Sequence, residues 1–459
     1  MKLNELIKTD LNIDIKGIAD DSRLVEDGYI FVATKGYNVD HFDYIKDAIE
    51  NGAVFLVTDR EIDFDFPHII VDNIDSYYKE LCLKFNGISL DDFNFIGITG
   101  TDGKTTTATI VSRLIPNCAY IGTNGLTING ETTSTSNTTP CVNELYEDLR
   151  KIKDAGVKTV VMEVSSEALL HNRVDNIKFD IVGFTNITGD HLKVHGGFEN
   201  YKNCKLKLLD LVKDTGYVVL NGDDSNLQNI NCKNMYSFGK GSVDYLIKNV
   251  NYNDKDVSID LEYKDNKYSI ISPLKGEYNV YNVVMAFIIS LLYGLDSDEV
   301  ISNIKNLAPI NGRCEMLDFG QDYDIVLDYA HTINGIKCVL DAFQGYDRVI
   351  ALTGAAGGRD HEKRPIIGNM IMEKSDIAIF TMDDPRYESV DTIIDEMVGD
   401  KKDYIRIVDR EKAIHYALSI ARKGDVVLIL GKGRDNYMAV EDKKLKYNDY
   451  DVIKKYFEK

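Results

Sequence analysis

The chain has 459 residues, 44 % of them apolar, enough for two to four domains of roughly 100–200 residues with sizeable cores. A formal charge of -21 argues against a nucleic-acid platform, which needs Lys and Arg in excess on one face, but leaves room for a nucleotide held by backbone N–H groups and a few cations. Seven scattered cysteines without a C-x-x-C pair argue against zinc or a disulfide framework, the opening MKLNELIKTDLNIDI lacks an apolar signal core and no run approaches the length of a membrane span, so a cytoplasmic protein with no membrane role is expected.

Residues 1–93 mix short strand patterns (29–34, 53–58, 68–71) with a helix near 43–51. After Asp91-Asp92 the pattern becomes strand, glycine-rich turn and helix: FNFIGIT, GTDGKTTT, ATIVSRLI. The runs 159–164 and 180–187 are continuously apolar, as strands covered on both faces are. YLIKNVNYNDKDVSIDLEYKDNKYSIISPL alternates like antiparallel strands and leads into the helical NVVMAFIISLLYGL. From Pro309 onward, strand patterns at 324–330, 348–356, 376–384 and 425–433 alternate with helical segments and predict a second βαβ sheet. The expectation is an α/β chain of three domains, 1–93, 94–307 and 308–459.

Gly100, Thr101, Asp102, Gly103, Lys104, Thr105 and Thr106 sit between a strand and a helix, the setting of a phosphate-binding loop. Glycines let backbone approach phosphate, the helix N-terminus offers N–H groups, Lys104 adds charge, and a threonine hydroxyl can reach Mg²⁺. The spacing departs from the strict P-loop, because position 98 is Ile. Glu163 closes a strand and could serve the metal, an ordinary strand-end glutamate being the equal alternative. Asp190, His191 and His195 follow another strand end, the edge at which open α/β sheets bind ligands. Lys205 and Lys207 share a helical stretch, and spacing does not choose between them.

In order along the chain, IADDSRLVEDGYIFVATKGYNVDHFDYIKDAIENGA, GITGTDGKTTT, NTTP, MEVSSEAL with Arg173, DHLKVHGGFENYKNCK, YNVYNVVMA, NGRCE, LDYAHT, GGRDHEKRP, DDPR and GKGRD resemble the Mur ligase family, most closely its MurE branch. The resemblance implies an N-terminal UDP-binding α/β domain, a central P-loop ATPase domain with a parallel sheet and a C-terminal Rossmann-like domain. It also implies the reaction: ATP-dependent joining of a free amino acid, of the lysine or diaminopimelate type, to a UDP-linked cell-wall peptide such as UDP-N-acetylmuramoyl-L-alanyl-D-glutamate, through an acyl phosphate, by a monomer.

By the same resemblance, Ser22, Arg23, Asn137, Thr138, Thr139, Ser165 and Arg173 would contact the UDP-linked acceptor. Residues 100–106 with Asn282, Arg313, Asp328 and His331 would hold ATP. Thr105, Glu163, His191 and a carbamylated Lys205 would hold two Mg²⁺ ions, and Lys104, Glu163, His191 and Lys205 would carry the catalysis. Arg359, Asp383, Asp384, Arg386, Gly431 and Asp435 would receive the amino acid.

Five departures from the family pattern stand out: Asp102 for Asn, Glu167 for His, Cys141 after TTP, Ile333 for Pro, and GKGRD for GKGHE. In addition Asp384 replaces the Asn of the DNPR motif of diaminopimelate-adding enzymes, whose Arg is kept as Arg386. The added charge favours an amino acid with a distal cation, such as lysine, unless Asp384 is paired with Arg386. Two other readings stay open. One is a pseudomurein ligase acting on a UDP-linked peptide without a muramoyl group; the other is a non-catalytic nucleotide-binding paralogue, against which the presence of Lys104, Glu163, His191 and Lys205 counts. Folylpolyglutamate and cyanophycin synthetases share the loop, but are not expected to carry the N-terminal DSR block or DDPR.

Overall fold

The structure, a computed structural model, describes residues 1–36, 39–190, 192–253 and 256–458. The chain forms two compact units: Met1–Gly97, Pro116–Asp180 and Lys207–Gly216 make the first, and Ile98–Ile115, Ile181–Leu206 and Tyr217–Lys459 the second.

The first unit opens with a parallel sheet of β1 (Gly17–Ala19), β2 (Tyr29–Val32), β3 (Ala53–Thr58) and β4 (His68–Ile70), in that order. Ile30, Phe31, Val32, Leu56 and Val57 are fully buried, so the central strands read as apolar runs without alternation. The helix Ile74–Asn86 follows, started by the Asn73 side chain accepting from Ser76 N–H and stopped by left-handed Gly87. β5 (Asn94–Thr99) begins in this unit, which also holds β6 (Cys118–Gly122), β7 (Gly125–Ile128), β8 (Glu131–Thr133) and β9 (Thr159–Glu163). β6 pairs in parallel with β9, and β7 and β8 extend the ladder antiparallel. Every residue of β9 is buried, and the strand delivers Glu163 at its C-terminal end.

β10 (Phe179–Phe184) and β11 (Val212–Asn221) begin in the first unit and end in the second, which holds β12 (Met235–Gly239), β13 (Tyr245–Tyr252), β14 (Val257–Tyr263) and β15 (Asn266–Ser272); the six are neighbours in sequence order. β13, β14 and β15 form the expected antiparallel meander. The helix Glu277–Tyr293, apolar on most of its surface, packs against the helix Lys104–Leu114 that follows the phosphate-binding loop.

The C-terminal sheet contains β16 (Glu315–Leu317), β17 (Asp324–Asp328), β18 (Arg348–Thr353), β19 (Ile377–Phe380), β20 (Ile405–Arg406) and β21 (Asp425–Leu430), ordered β16-β17-β21-β18-β19-β20 and parallel except at β16. Alternate residues serve opposite faces. Val326, Ala351, Phe380 and Leu428 pack on Ile336, Ile367 and Ile394, whereas Leu327, Ile350, Ile379 and Val427 pack on Ile414, Leu418 and Ile453. Helices therefore cover both sides, as in doubly wound folds. The strand patterns 348–356, 376–384 and 425–433 each overrun the observed strand by three or four residues, because the chain leaves the sheet there to form the loops that carry Arg359, Asp383 and Gly431. No helix among the described residues is long and apolar enough to cross a membrane.

Candidate active site

Within the second unit the loop after β5 wraps back on itself. Gly103 caps the helix Lys104–Leu114 in the left-handed region at φ 83°, and a Cβ there would collide with Asn282 Oδ1, so only glycine fits both backbone and neighbour. Asn282 also accepts from the Thr107 hydroxyl at 3.2 Å and donates to Asn279. Thr101 donates to or accepts from the Tyr201 hydroxyl at 2.9 Å and donates to Thr188 O; Asp102 N–H donates to Asn186 Oδ1. Lys104 Nζ donates to Gly100 O and Thr101 O at 3.0 and 2.8 Å.

Lys205 lies behind this loop. It is 1 % exposed, donates to Gly100 O at 2.7 Å and sits 4.7 Å from the Tyr201 ring centroid. Burial, and then the charge of Lys104, hold its amine well below the usual lysine range. Lys207 is exposed, so burial sets the two lysines apart. His195 is buried edge-on to Tyr201 at 5.2 Å, a packing role; His191 lies outside the described residues.

Arg313 approaches the same loop, donating from Nη2 to Thr105 Oγ1 at 2.8 Å, while its buried Nε has no protein partner. The Asp328 carboxylate accepts from Cys314 N–H and Ala330 N–H, both at 2.6 Å, and so shapes the turn that presents Arg313. Burial pushes Asp328 up, with Arg313 opposing. His331 is half exposed; its Nδ1 lies 2.8 Å from Tyr329 O and its Nε2 4.0 Å from Asp190.

In the first unit Glu163 is fully buried. Its Oε1 accepts from the Tyr120 hydroxyl at 2.6 Å and Thr123 N–H at 2.8 Å, and its Oε2 from Thr123 Oγ1 at 3.3 Å. Thr138 meets Thr123 hydroxyl to hydroxyl, Thr139 donates to Glu163 O at 2.7 Å and accepts from Ser165 N–H, and Arg173 donates to Thr139 O at 2.9 Å. Ser165 also caps the helix Ser166–Leu170. Asn137 bonds only locally, to Ser136 and Cys141. Ser22 and Arg23 lie in the turn after β1, where Arg23 grips Asp21 and holds its carboxyl below the usual range.

The loops after β18, β19 and β21 form a third cluster. Lys432, 1 % exposed, lies 2.8, 3.3 and 3.8 Å from Asp384, Asp435 and Asp383. Burial works against its charge, but the three carboxylates outweigh it and hold the ammonium above its usual range. Asp384 also accepts from Ala439 N–H, and Gly431 N–H donates to Asp328 O. Arg386 adopts φ 52° and makes no ion pair among the described residues; Arg359 O accepts from Lys193.

Three family patterns match successive parts of the chain: Mur ligase family, catalytic domain over 14–82; Mur ligase middle domain over 98–290; and Mur ligase, glutamate ligase domain over 312–433. The UDP-N-acetylmuramoyl-L-alanyl-D-glutamate–2,6-diaminopimelate ligase of Bacillus licheniformis is 35 % identical over 460 residues, covering 96 % of this chain and 94 % of its own. The chain belongs to the Mur ligase family. The enzyme of the same name from Bacillus cereus is likewise 35 % identical over 96 % of this chain and 94 % of its own. A solved structure of a so-named ligase has a TM-score of 0.65 at 25 % identity, covering 100 % of this chain and 99 % of its own.

This Mur ligase, an ATP-dependent amide ligase, accommodates its departures by local means. Glu167 falls in the first turn of its helix, where a carboxylate suits the positive end. Ile333 opens the helix Ile333–Ala342 behind the cap Thr332, and that cap donates at 2.8 Å to Asp102. Asp384 is engaged by Lys432 instead of Arg386, which removes the premise on which a distal cation was favoured. Tyr120, Thr123, Asn186, Tyr201 and Lys432 escaped sequence reading because each acts by supporting a motif residue distant in sequence.

Proposed function

We propose that this Mur ligase joins 2,6-diaminopimelate to UDP-N-acetylmuramoyl-L-alanyl-D-glutamate, the reaction named for its relatives in the two Bacillus species. The observation that carries the amino-acid choice is the Lys432–Asp384 pair: with that carboxylate neutralised, Arg386 keeps its charge for a distal carboxylate that lysine lacks. Lys432 faces three acids, so the cluster keeps net negative charge suited to an ammonium group of the incoming amino acid. The names of the relatives also favour a muramoyl acceptor over a pseudomurein precursor.

The acceptor carboxylate cannot expel oxide, so it first attacks the γ-phosphorus of ATP, becoming an acyl phosphate as ADP leaves; the amine then attacks the acyl carbon, loses a proton and displaces phosphate. Lys104 and Arg313 offset charge on the transferring group, and positioning supplies most of the remaining rate. Thr105 and Glu163 offer the hard oxygen donors that Mg²⁺ takes beside phosphate and water, and His191 with a carbamate on Lys205 would serve a second ion. The metal supplies further charge neutralisation when bound. Carbon dioxide adds to the neutral amine, and burial of Lys205 favours that form over the charged one. Thr138, Thr139, Ser165 and Arg173 serve the acceptor, together with Ser22, Arg23 and Asn137. The domain limits 1–93, 94–307 and 308–459, a monomeric state and a cytoplasmic location belong to the same reading.

Phosphate release from ATP tests it, with the acceptor fixed and diaminopimelate, lysine and ornithine supplied one at a time against a Lys104→Ala blank. Release that requires both the acceptor and diaminopimelate is expected. Release with lysine alone would overturn the amino-acid assignment, and no release with any combination would overturn the ligase reading.

A further inference from the structure

We propose that Arg434, which stands where the family pattern GKGHE has histidine, is a positioning residue that holds Arg313 in place for the nucleotide. The proposal rests on the reading of Arg313 as a nucleotide contact.

The Arg434 guanidinium grips Glu315 at both carboxylate oxygens, from Nε to Oε2 at 2.9 Å and from Nη2 to Oε1. Glu315 is 5 % exposed, and its Oε2 also accepts from Gly312 N–H at 2.8 Å, one residue before Arg313. Arg434 cannot drift: its guanidinium lies 3.5 Å from the Tyr450 ring centroid, and the carbonyls of Arg434 and Asp435 both accept from Asn448 Nδ2 at 3.1 Å. Beyond Gly312, Arg313 lies over the Tyr329 ring at 4.7 Å and reaches Thr105 at 2.8 Å.

The chemistry explains why arginine differs here from histidine. A guanidinium makes two parallel charge-assisted bonds to one carboxylate, whereas an imidazole offers one N–H in that direction and is charged only when protonated. Two bonds fix the plane of Glu315, and Glu315 fixes the turn that aims Arg313. Arg434 needs to touch neither nucleotide nor amino acid to affect the phosphoryl transfer.

A double-mutant cycle tests this, reading kcat/KM for ATP and KM for the UDP-linked acceptor. Arg434→Gln alone is expected to lower kcat/KM for ATP by about tenfold or more while the acceptor KM stays within about twofold. In an Arg313→Ala background the same change is expected to cost less than about twofold, and Arg434→Lys, which keeps one charged bond, to recover part of the single-mutant loss. Equal losses in both backgrounds would overturn the proposal, because Arg434 would then act independently of Arg313. An Arg313→Ala enzyme with unchanged kcat/KM for ATP would instead overturn the nucleotide reading. If Arg434→Gln does not fold, Arg434→Lys run through the same cycle decides by the same criterion.

Discussion

Replacing Lys432 by methionine removes the cation from a cluster of three carboxylates while keeping an unbranched side chain of similar length. Lys432 is 1 % exposed, so water cannot take the place of the lost charge beside Asp384, Asp435 and Asp383, which stand 2.8, 3.3 and 3.8 Å away. Breaking a buried pair by deleting one partner costs about 3–5 kcal/mol, which for a domain of this size lowers the unfolding midpoint by about 6–20 °C. The deficit depends on pH. Burial already holds Asp435 above its ordinary 3.8, with Lys432 opposing the rise, so without Lys432 the acid rises further. A carboxyl whose folded pKa exceeds its unfolded value lends stability below the unfolded pKa and loses it as pH rises through the folded one. The variant is therefore expected to lie nearest the parent at about pH 5 and furthest behind at about pH 8, measured by thermal unfolding across that range. A midpoint within about 2 °C of the parent at pH 8, or a deficit that grows on acidification, would refute the reasoning.

Arg386→Ala is expected to raise KM for diaminopimelate by about 10–100-fold with ATP affinity unchanged, in steady-state assays that vary each substrate in turn. Asp102→Asn keeps the acceptor for the Thr332 hydroxyl and removes a negative charge from the phosphate-binding loop, so KM for ATP should fall, and stability should change by less than about 1 kcal/mol in denaturant titration. Gly103→Ala places a Cβ against Asn282 Oδ1 in a left-handed conformation, and calorimetry should register loss of nucleotide binding. Intact-protein mass and ¹³C NMR in labelled bicarbonate should find one carbon dioxide on the parent enzyme and none on Lys205→Ala, whose kcat should fall at least about a hundredfold.

Sequence revealed the fold well wherever burial is two-sided. The runs that became β5, β9, β10, β17, β18 and β21 are mostly apolar, with polar residues at or next to their ends, and the glycine-rich turn between β5 and its helix marked the phosphate-binding loop. The short β7 and β8 did not stand out, because half or more of their side chains face water and the pairing follows from a tight turn, not from an apolar run. The difference between Lys205 and Lys207 needed coordinates, since two residue steps in a helix turn a side chain by about 200° and only one of the two is buried. The meaning of Asp384 was hidden for a related reason: its partner Lys432 lies 48 residues away in the chain, and charge counted without its neutralising partner pointed to a distal cation.

Offering the enzyme ATP, Mg²⁺, UDP-N-acetylmuramoyl-L-alanyl-D-glutamate and equal amounts of diaminopimelate and lysine, and weighing the product by mass spectrometry, decides which amino acid is joined. A single UDP-linked tripeptide carrying diaminopimelate, formed with one ADP per product, is expected. A lysine tripeptide, or ADP formed without any tripeptide, would contradict it.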